Sequence, residues 1–169
     1  MKTHHFLFTA VGFSAVCIHA EPVASTWQAE AAKYPVAVYQ GKHATPKLTA
    51  QTRAYRSFFR MLQSQDINYG GDYVLDFAGC GTGCAIGLLY NARTGATQLL
   101  PTGTVSPCTD QPNLMMQAET RKTASSRWLQ IVATTNDGDD GDANGGCYTK
   151  TFIAANGKVR LLEQQRLSE

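Results

Sequence analysis

Four cysteines stand in the body of this chain, and the first two bracket its most unusual stretch, Gly79-Cys-Gly-Thr-Gly-Cys84. Residues of this type and spacing could close a small disulfide loop, run thiol–disulfide exchange or supply half of a zinc site. Exchange asks for C-x-x-C ahead of a helix that lowers a thiol pKa, whereas here the spacing is C-x-x-x-C and Ala85-Ile-Gly-Leu-Leu-Tyr90 reads as a strand. Zinc asks for further ligands at metal spacing, and none accompany the pair. The remaining reading is a disulfide-pinned turn whose glycines, Gly79, Gly81 and Gly83, permit φ > 0 and close backbone approach. Such a knuckle, with Thr82 between Gly81 and Gly83, is also a preorganised element for binding a partner.

Asn136-Asp-Gly-Asp-Asp-Gly-Asp-Ala-Asn-Gly-Gly146 offers a second chemistry. Asp140, Asp142, Asn144 and Gly145 fit the opening of a calcium loop, where alternating oxygens converge on a hard cation. Thr151 stands where a bidentate glutamate should close that loop, so the expectation is a solvated acidic turn with calcium as the alternative. No other cofactor is expected.

A third feature is electrostatic. No acidic residue lies between Glu30 and Asp66, while Lys33, Lys42, Lys47, Arg53, Arg56 and Arg60 fall in that interval. They describe a solvated helix face or a patch for an anionic partner, such as an acidic protein surface or envelope polymer. Acid–base chemistry has little to work with. Beyond residue 20 the only histidine is His43, in a loop, and every nucleophilic triad would depend on it. Asp76, in a strand, is either a buried acid or a strand-edge residue. Enzymatic activity is therefore not expected.

These residues sit in a chain of 169 that opens like a secretory signal: Lys2, His4 and His5, then an apolar run from Phe6 to Ile18 too short to span a bilayer, then Ala20 before Glu21-Pro22. The expectation is a signal peptide over residues 1–20 and a single periplasmic or secreted domain over 21–169, without stable membrane insertion. Removal of Cys17 with the signal turns an odd cysteine count into an even one, as an oxidising compartment favours. Of the three pairings open to Cys80, Cys84, Cys108 and Cys147, Cys80 with Cys84 and Cys108 with Cys147 is expected. A formal charge of +2 gives no drive toward nucleic acid, which the compartment disfavours as well.

The elements that must position these groups are mainly strands. A short helix is expected around Trp27 to Lys33 and an extended segment over Pro35 to Tyr39. Tyr55, Phe58, Phe59 and Leu62 recur at i, i+3, i+4 and i+7, which predicts a helix with Thr49 as its N-cap. Asn68-Tyr-Gly-Gly71 ends it and opens a strand over 72–78; further strands are expected at 85–90, 96–100, 127–134, 147–153 and 158–162, and one near 113–119. Asn156-Gly157 is a strong hairpin signal. The expected fold is α+β, mainly β: one N-terminal helix on an antiparallel meander of about six strands, stapled by two disulfides.

Asn68-Tyr-Gly-Gly-Asp-Tyr73, a strand, then Gly79-Cys-Gly-Thr-Gly-Cys84 resembles a group of small secreted bacterial proteins of unassigned function with the pattern Asn-Phe-Ala-Gly-His-Tyr and Gly-Cys-Gly-Thr-x-Cys, with Asp72 in place of a frequent histidine. More distantly, a helix, a strand and a cysteine-bounded loop are similar to periplasmic inhibitors of vertebrate-type lysozyme, which plug the enzyme cleft with a disulfide-closed loop. With the signal, the small size and the scarcity of catalytic groups, the expectation is an inhibitor or immunity protein against a cell-wall hydrolase, with Gly81, Thr82 and Gly83 of the knuckle and Arg53, Arg56 and Arg60 of the basic stretch as partner-binding residues. The alternatives are an envelope thiol–disulfide enzyme using Cys80 and Cys84, and a calcium-stabilised structural module.

Overall fold

The computed structural model describes residues 26–81, 83–108, 119–136 and 146–167. The predicted signal segment and the acidic loop with Asp140, Asp142 and Asn144 lie outside these, as does Thr82.

Among the described residues seven strands form one antiparallel sheet: β1 Tyr73–Gly81, β2 Cys84–Asn91, β3 Thr97–Ser106, β4 Glu119–Lys122, β5 Trp128–Asn136, β6 Cys147–Ala155 and β7 Lys158–Arg166. The order β1-β2-β3-β5-β6-β7 is the expected meander, and β4 pairs with the β5 edge. Of the strand expected near 113–119 only Glu119 lies among the described residues, where it opens β4. β3 reaches β5 only through Gly103–Ser106, with a register shift at Gly103/Thr104 that bends the ladder there. Both halves of the sheet contribute to one core: Tyr73, Leu75, Leu89 and Leu100 share it with Leu129, Ile131, Phe152, Ala154 and Val159. Alternation along β1 and β5 supplies this face at every second residue.

Among the described residues two short α-helices lie where the two helical segments were expected, although the expected architecture placed only one helix on the sheet. α1, Thr26–Ala32, lies against β5, and α2, Arg56–Leu62, packs on β1 and β2 after a 3₁₀ turn at Arg53–Tyr55. The helix predicted from Thr49 starts seven residues later. The hydroxyls of Thr49 and Thr52 each accept the other's backbone N–H, which holds 49–52 as a turn. Phe59 and Leu62 are buried as the periodicity requires, but Phe58 is 36% exposed, because the helix contacts the sheet along a narrower stripe than the four apolar residues span.

α2 and the segment from Tyr39 to Leu48 cover the outer face of the first hairpin, over Val74, Ala78, Leu88 and Tyr90. β2 is therefore covered on both sides, which is why Leu88, Leu89 and Tyr90 are buried in succession. Asn156 and Gly157 both take positive φ, 52° and 74°, in the turn joining β6 to β7.

Both expected disulfides are closed, Cys80 to Cys84 and Cys108 to Cys147, with Cα separations of 5.3 and 5.5 Å. The second ties the end of β3 to the start of β6, across β5. Among the described residues no helix is long and apolar enough to cross a membrane. The disulfides are consistent with an extracytoplasmic protein.

Candidate functional site: the disulfide knuckle and its surroundings

The knuckle is the tip of the β1–β2 hairpin. Pairing runs from Tyr73 opposite Asn91 to Gly79 opposite Ala85, then shifts so that Gly81 faces Cys84. Phe77 and Ala85, at its base, pack against the inner core, which anchors the tip to the sheet. Beyond them Gly79, Cys80, Gly81 and Gly83 are exposed and Cys84 is half-buried. Gly81 and Gly83 sit at φ 140° and 70°, so both need glycine for the backbone. The expected close approach is not internal: a Cβ on Gly79, Gly81 or Gly83 would meet no atom within 4 Å. Gly79 in particular has neither a positive φ nor a neighbour to demand it.

The arginines ride on the same hairpin without joining the knuckle. Phe59 and Leu62 of α2 share their cluster with Ala78, two residues before Cys80, while Arg53, Arg56 and Arg60 are all exposed. None of the three is in an ion pair among the described residues, whereas Lys33 is paired with Glu30 at 2.6 Å.

Asp76 is exposed, which resolves its two readings in favour of the strand edge. Its Oδ1 accepts from the Phe77 N–H at 2.8 Å and its Oδ2 from Gln65 Nε2 at 3.4 Å. Among the described residues no group of three or more His, Cys, Asp or Glu could hold a metal ion.

The Asn68–Tyr73 stretch that resembles other secreted proteins is architectural. The N–H groups of Gly70 and Gly71 donate to the carbonyls of Ser126 and Ala124, and the Tyr69 hydroxyl donates to the Arg127 carbonyl at 2.9 Å. Asp72 takes the Arg93 guanidinium through both oxygens, and Arg93 in turn lies over the Tyr39 ring, 4.6 Å from its centroid. Asp72 thus serves as an anchor for the 39–44 segment.

Sequence reasoning missed the surroundings of His43. Its Nδ1 lies 2.9 Å from the Gln63 carbonyl and so carries the proton, and the ring lines a cleft with Lys42 and Arg60. The available signal was its being the single histidine of the predicted domain; nothing in the spacing links residues 42–43 to 60–64. Also missed was the parallel stack of Trp27 on Trp128, with ring centroids 6.5 Å apart, which seats α1.

Burial sets the titration of the core. It pushes the phenols of Tyr69, Tyr73 and Tyr90 above their ordinary value, with Tyr73 adding to the effect at Tyr69. Burial lowers Lys122, an effect that the charge of Asp76 opposes.

Comparison with protein-family models, with curated proteins and with solved structures gives no significant match.

Proposed function

We propose that this protein is a non-enzymatic extracytoplasmic binding protein that presents the Cys80–Cys84 knuckle to a protein partner, most concretely as an inhibitor or immunity protein against a cell-wall hydrolase. The observation that carries the reading is the tip itself: a disulfide-closed, exposed hairpin end with three glycines whose Cβ positions are open space. A rigid, narrow, side-chain-poor projection enters a substrate cleft with little ordering cost, and its backbone groups stay accessible for hydrogen bonds. Gly79 supports the same reading, since nothing inside the protein accounts for a glycine there. The uncompensated arginines of α2 lie on the flank of this hairpin and suit an acidic rim around such a cleft.

The test is inhibition of purified lysozymes and cell-wall amidases by the oxidised protein at micromolar concentration. Inhibition that is lost in Gly79→Trp, with the melting temperature unchanged, is the expected result. Absence of both inhibition and complex formation across these hydrolases would overturn the assignment of partner. Exposure of Cys80 also keeps thiol–disulfide exchange as a second reading, and catalysed reduction of a small disulfide substrate by the protein would favour it over inhibition.

A further inference from the structure

The end of α2 and the loop before it border a shallow, open cleft of about 440 Å³ lined by Gly41, Lys42, His43, Arg60, Gln63 and Ser64, none of them part of the knuckle. We propose that this cleft is a binding site for a phosphoryl group. The proposal stands apart from the knuckle reading, and either can fail alone.

The lining carries one lysine, one arginine and one imidazole, and no carboxylate. Neither Lys42 nor Arg60 is in an ion pair among the described residues, and Asp66, the nearest acid in sequence to Ser64, is exposed and outside the lining. A concavity lined by one sign of charge focuses potential and concentrates a counter-ion of matching size. The walls are also held in place. The Tyr39 ring and hydroxyl occupy the space a Cβ on Gly41 would take, and the same hydroxyl donates to the Lys42 carbonyl at 3.2 Å. Arg93 covers Tyr39 and is itself held by Asp72. On the other side, the Ala44 N–H donates to the Ala92 carbonyl, and the Tyr90 hydroxyl to the Ala44 carbonyl. Lys42 and His43 thus sit on a short segment fixed at both ends.

The chemistry of the lining selects phosphate over carboxylate. A carboxylate brings one charge and two oxygens, which leaves one of the two cations uncompensated. A phosphate monoester brings up to two charges and three oxygens, enough for the Arg60 fork and the Lys42 ammonium together. The carbonyl of Gln63, at the C-terminal end of α2, would repel an anion, but the Nδ1–H of His43 already satisfies it. Nε2 is then the ring nitrogen left for a ligand. In the neutral ring it accepts from the P–O–H of a monoprotonated phosphate, and in the charged ring it donates to a phosphate oxygen.

The test titrates inorganic pyrophosphate into the full chain at low salt, by calorimetry and by the shift of the His43 imidazole resonances. Saturation with a Kd below about 1 mM is expected. Lys42→Ala and Arg60→Ala should each weaken binding about tenfold, and Arg53→Ala, the same loss of charge outside the lining, by no more than about twofold. All three positions are exposed, and an unchanged melting temperature for each variant verifies the fold. Failure to saturate, or an equal loss in Arg53→Ala and Arg60→Ala, would overturn the proposal. A second arm uses vesicles containing phosphatidic acid, whose headgroup is a phosphate monoester, against vesicles of phosphatidylcholine alone. Retention on the anionic vesicles that pyrophosphate displaces identifies a lipid headgroup as the source. Pyrophosphate saturation without vesicle retention identifies a soluble phosphoryl compound.

Discussion

The Asn68 carboxamide exchanges two hydrogen bonds with the peptide of Leu75: the Leu75 N–H donates to Oδ1 at 2.9 Å, and Nδ2 donates to the Leu75 carbonyl at 3.1 Å. A side chain here takes the place of a neighbouring strand. β1 is an edge strand, and its outward groups are consumed in turn by the 68–69 backbone at Tyr73, by Asn68 at Leu75 and by the Asp76 carboxylate at the Phe77 N–H. This blocks edge-to-edge pairing along the strand from Tyr73 to Leu75 and occupies the next outward N–H, that of Phe77.

Replacing Asn68 with alanine should therefore cost about 1–2 kcal/mol, since it leaves a part-buried donor and acceptor without protein partners. Asn68→Asp keeps the acceptor alone and should fall between the two. Urea midpoints measure the order, and light scattering near the midpoint should rise most for the alanine variant. An alanine variant with the wild-type midpoint would show that water replaces the amide without loss.

The two disulfides should separate stability from binding. Cys108 and Cys147 lie 39 residues apart, and opening that loop should cost about 4 kcal/mol in the chain-entropy account; Cys80 and Cys84 lie 4 apart, for which about 2 is expected. Paired serine variants compared by chemical denaturation test this. The Cys80/Cys84 pair should remain folded and lose partner binding, because its loop is exposed and projects beyond the core. Full inhibitory activity in that variant would remove the rigid knuckle from the mechanism.

Alkaline pH should destabilise the protein. Tyr69, Tyr73 and Tyr90 have folded pKa values raised above 10.0, chiefly by burial, so between that value and their folded values the unfolded state releases protons that the native state keeps. Their contribution is complete below about pH 10 and declines as pH rises further. Lys122 acts in the opposite direction. Its lowered pKa means the unfolded state holds more protons below about 10.5, so this penalty is relieved as pH rises from its folded value toward 10.5. With three phenols against one amine, unfolding midpoints should fall beyond pH 10. Phenolate absorbance should show these three hydroxyls ionising only with unfolding; ionisation in the native baseline would contradict their burial.

Much of the sheet was legible because its signals are local. Val, Ile, Leu and aromatic runs separated by Gly, Pro and Asn mark β1–β3 and β5–β7, and Asn156-Gly157 marks their last turn. What escaped is long-range. The start of α2 is decided by a Thr49–Thr52 turn whose Thr52 hydroxyl also meets Thr97 Oγ1, 45 residues away, at 2.8 Å. The short, shifted pairing between β3 and β5 has no signature beyond Gly103. At the candidate site, the knuckle was visible as a motif, but its open surroundings and the exposure of Asp76 follow from packing. The His43 cleft depends on a loop and a helix end meeting in space, which periodicity cannot report.

Ser126 makes the last prediction. Its hydroxyl donates to the Ala31 carbonyl at 2.6 Å and accepts from the Trp128 N–H at 3.1 Å, and the residue is 3% exposed. One buried oxygen thus joins the C-terminal end of α1 to the start of β5, immediately beside the Trp27–Trp128 stack. Ser126→Ala leaves a buried carbonyl and a buried N–H without this partner and should cost about 2–3 kcal/mol. Because the chain has 2 tryptophans and both are in this stack, tryptophan fluorescence reports on the contact between α1 and β5. The variant should show a red-shifted native emission together with a lowered unfolding midpoint. A lowered midpoint with unchanged native emission would mean that α1 stays seated by the aromatic stack and that the hydroxyl stabilises only the β5 end.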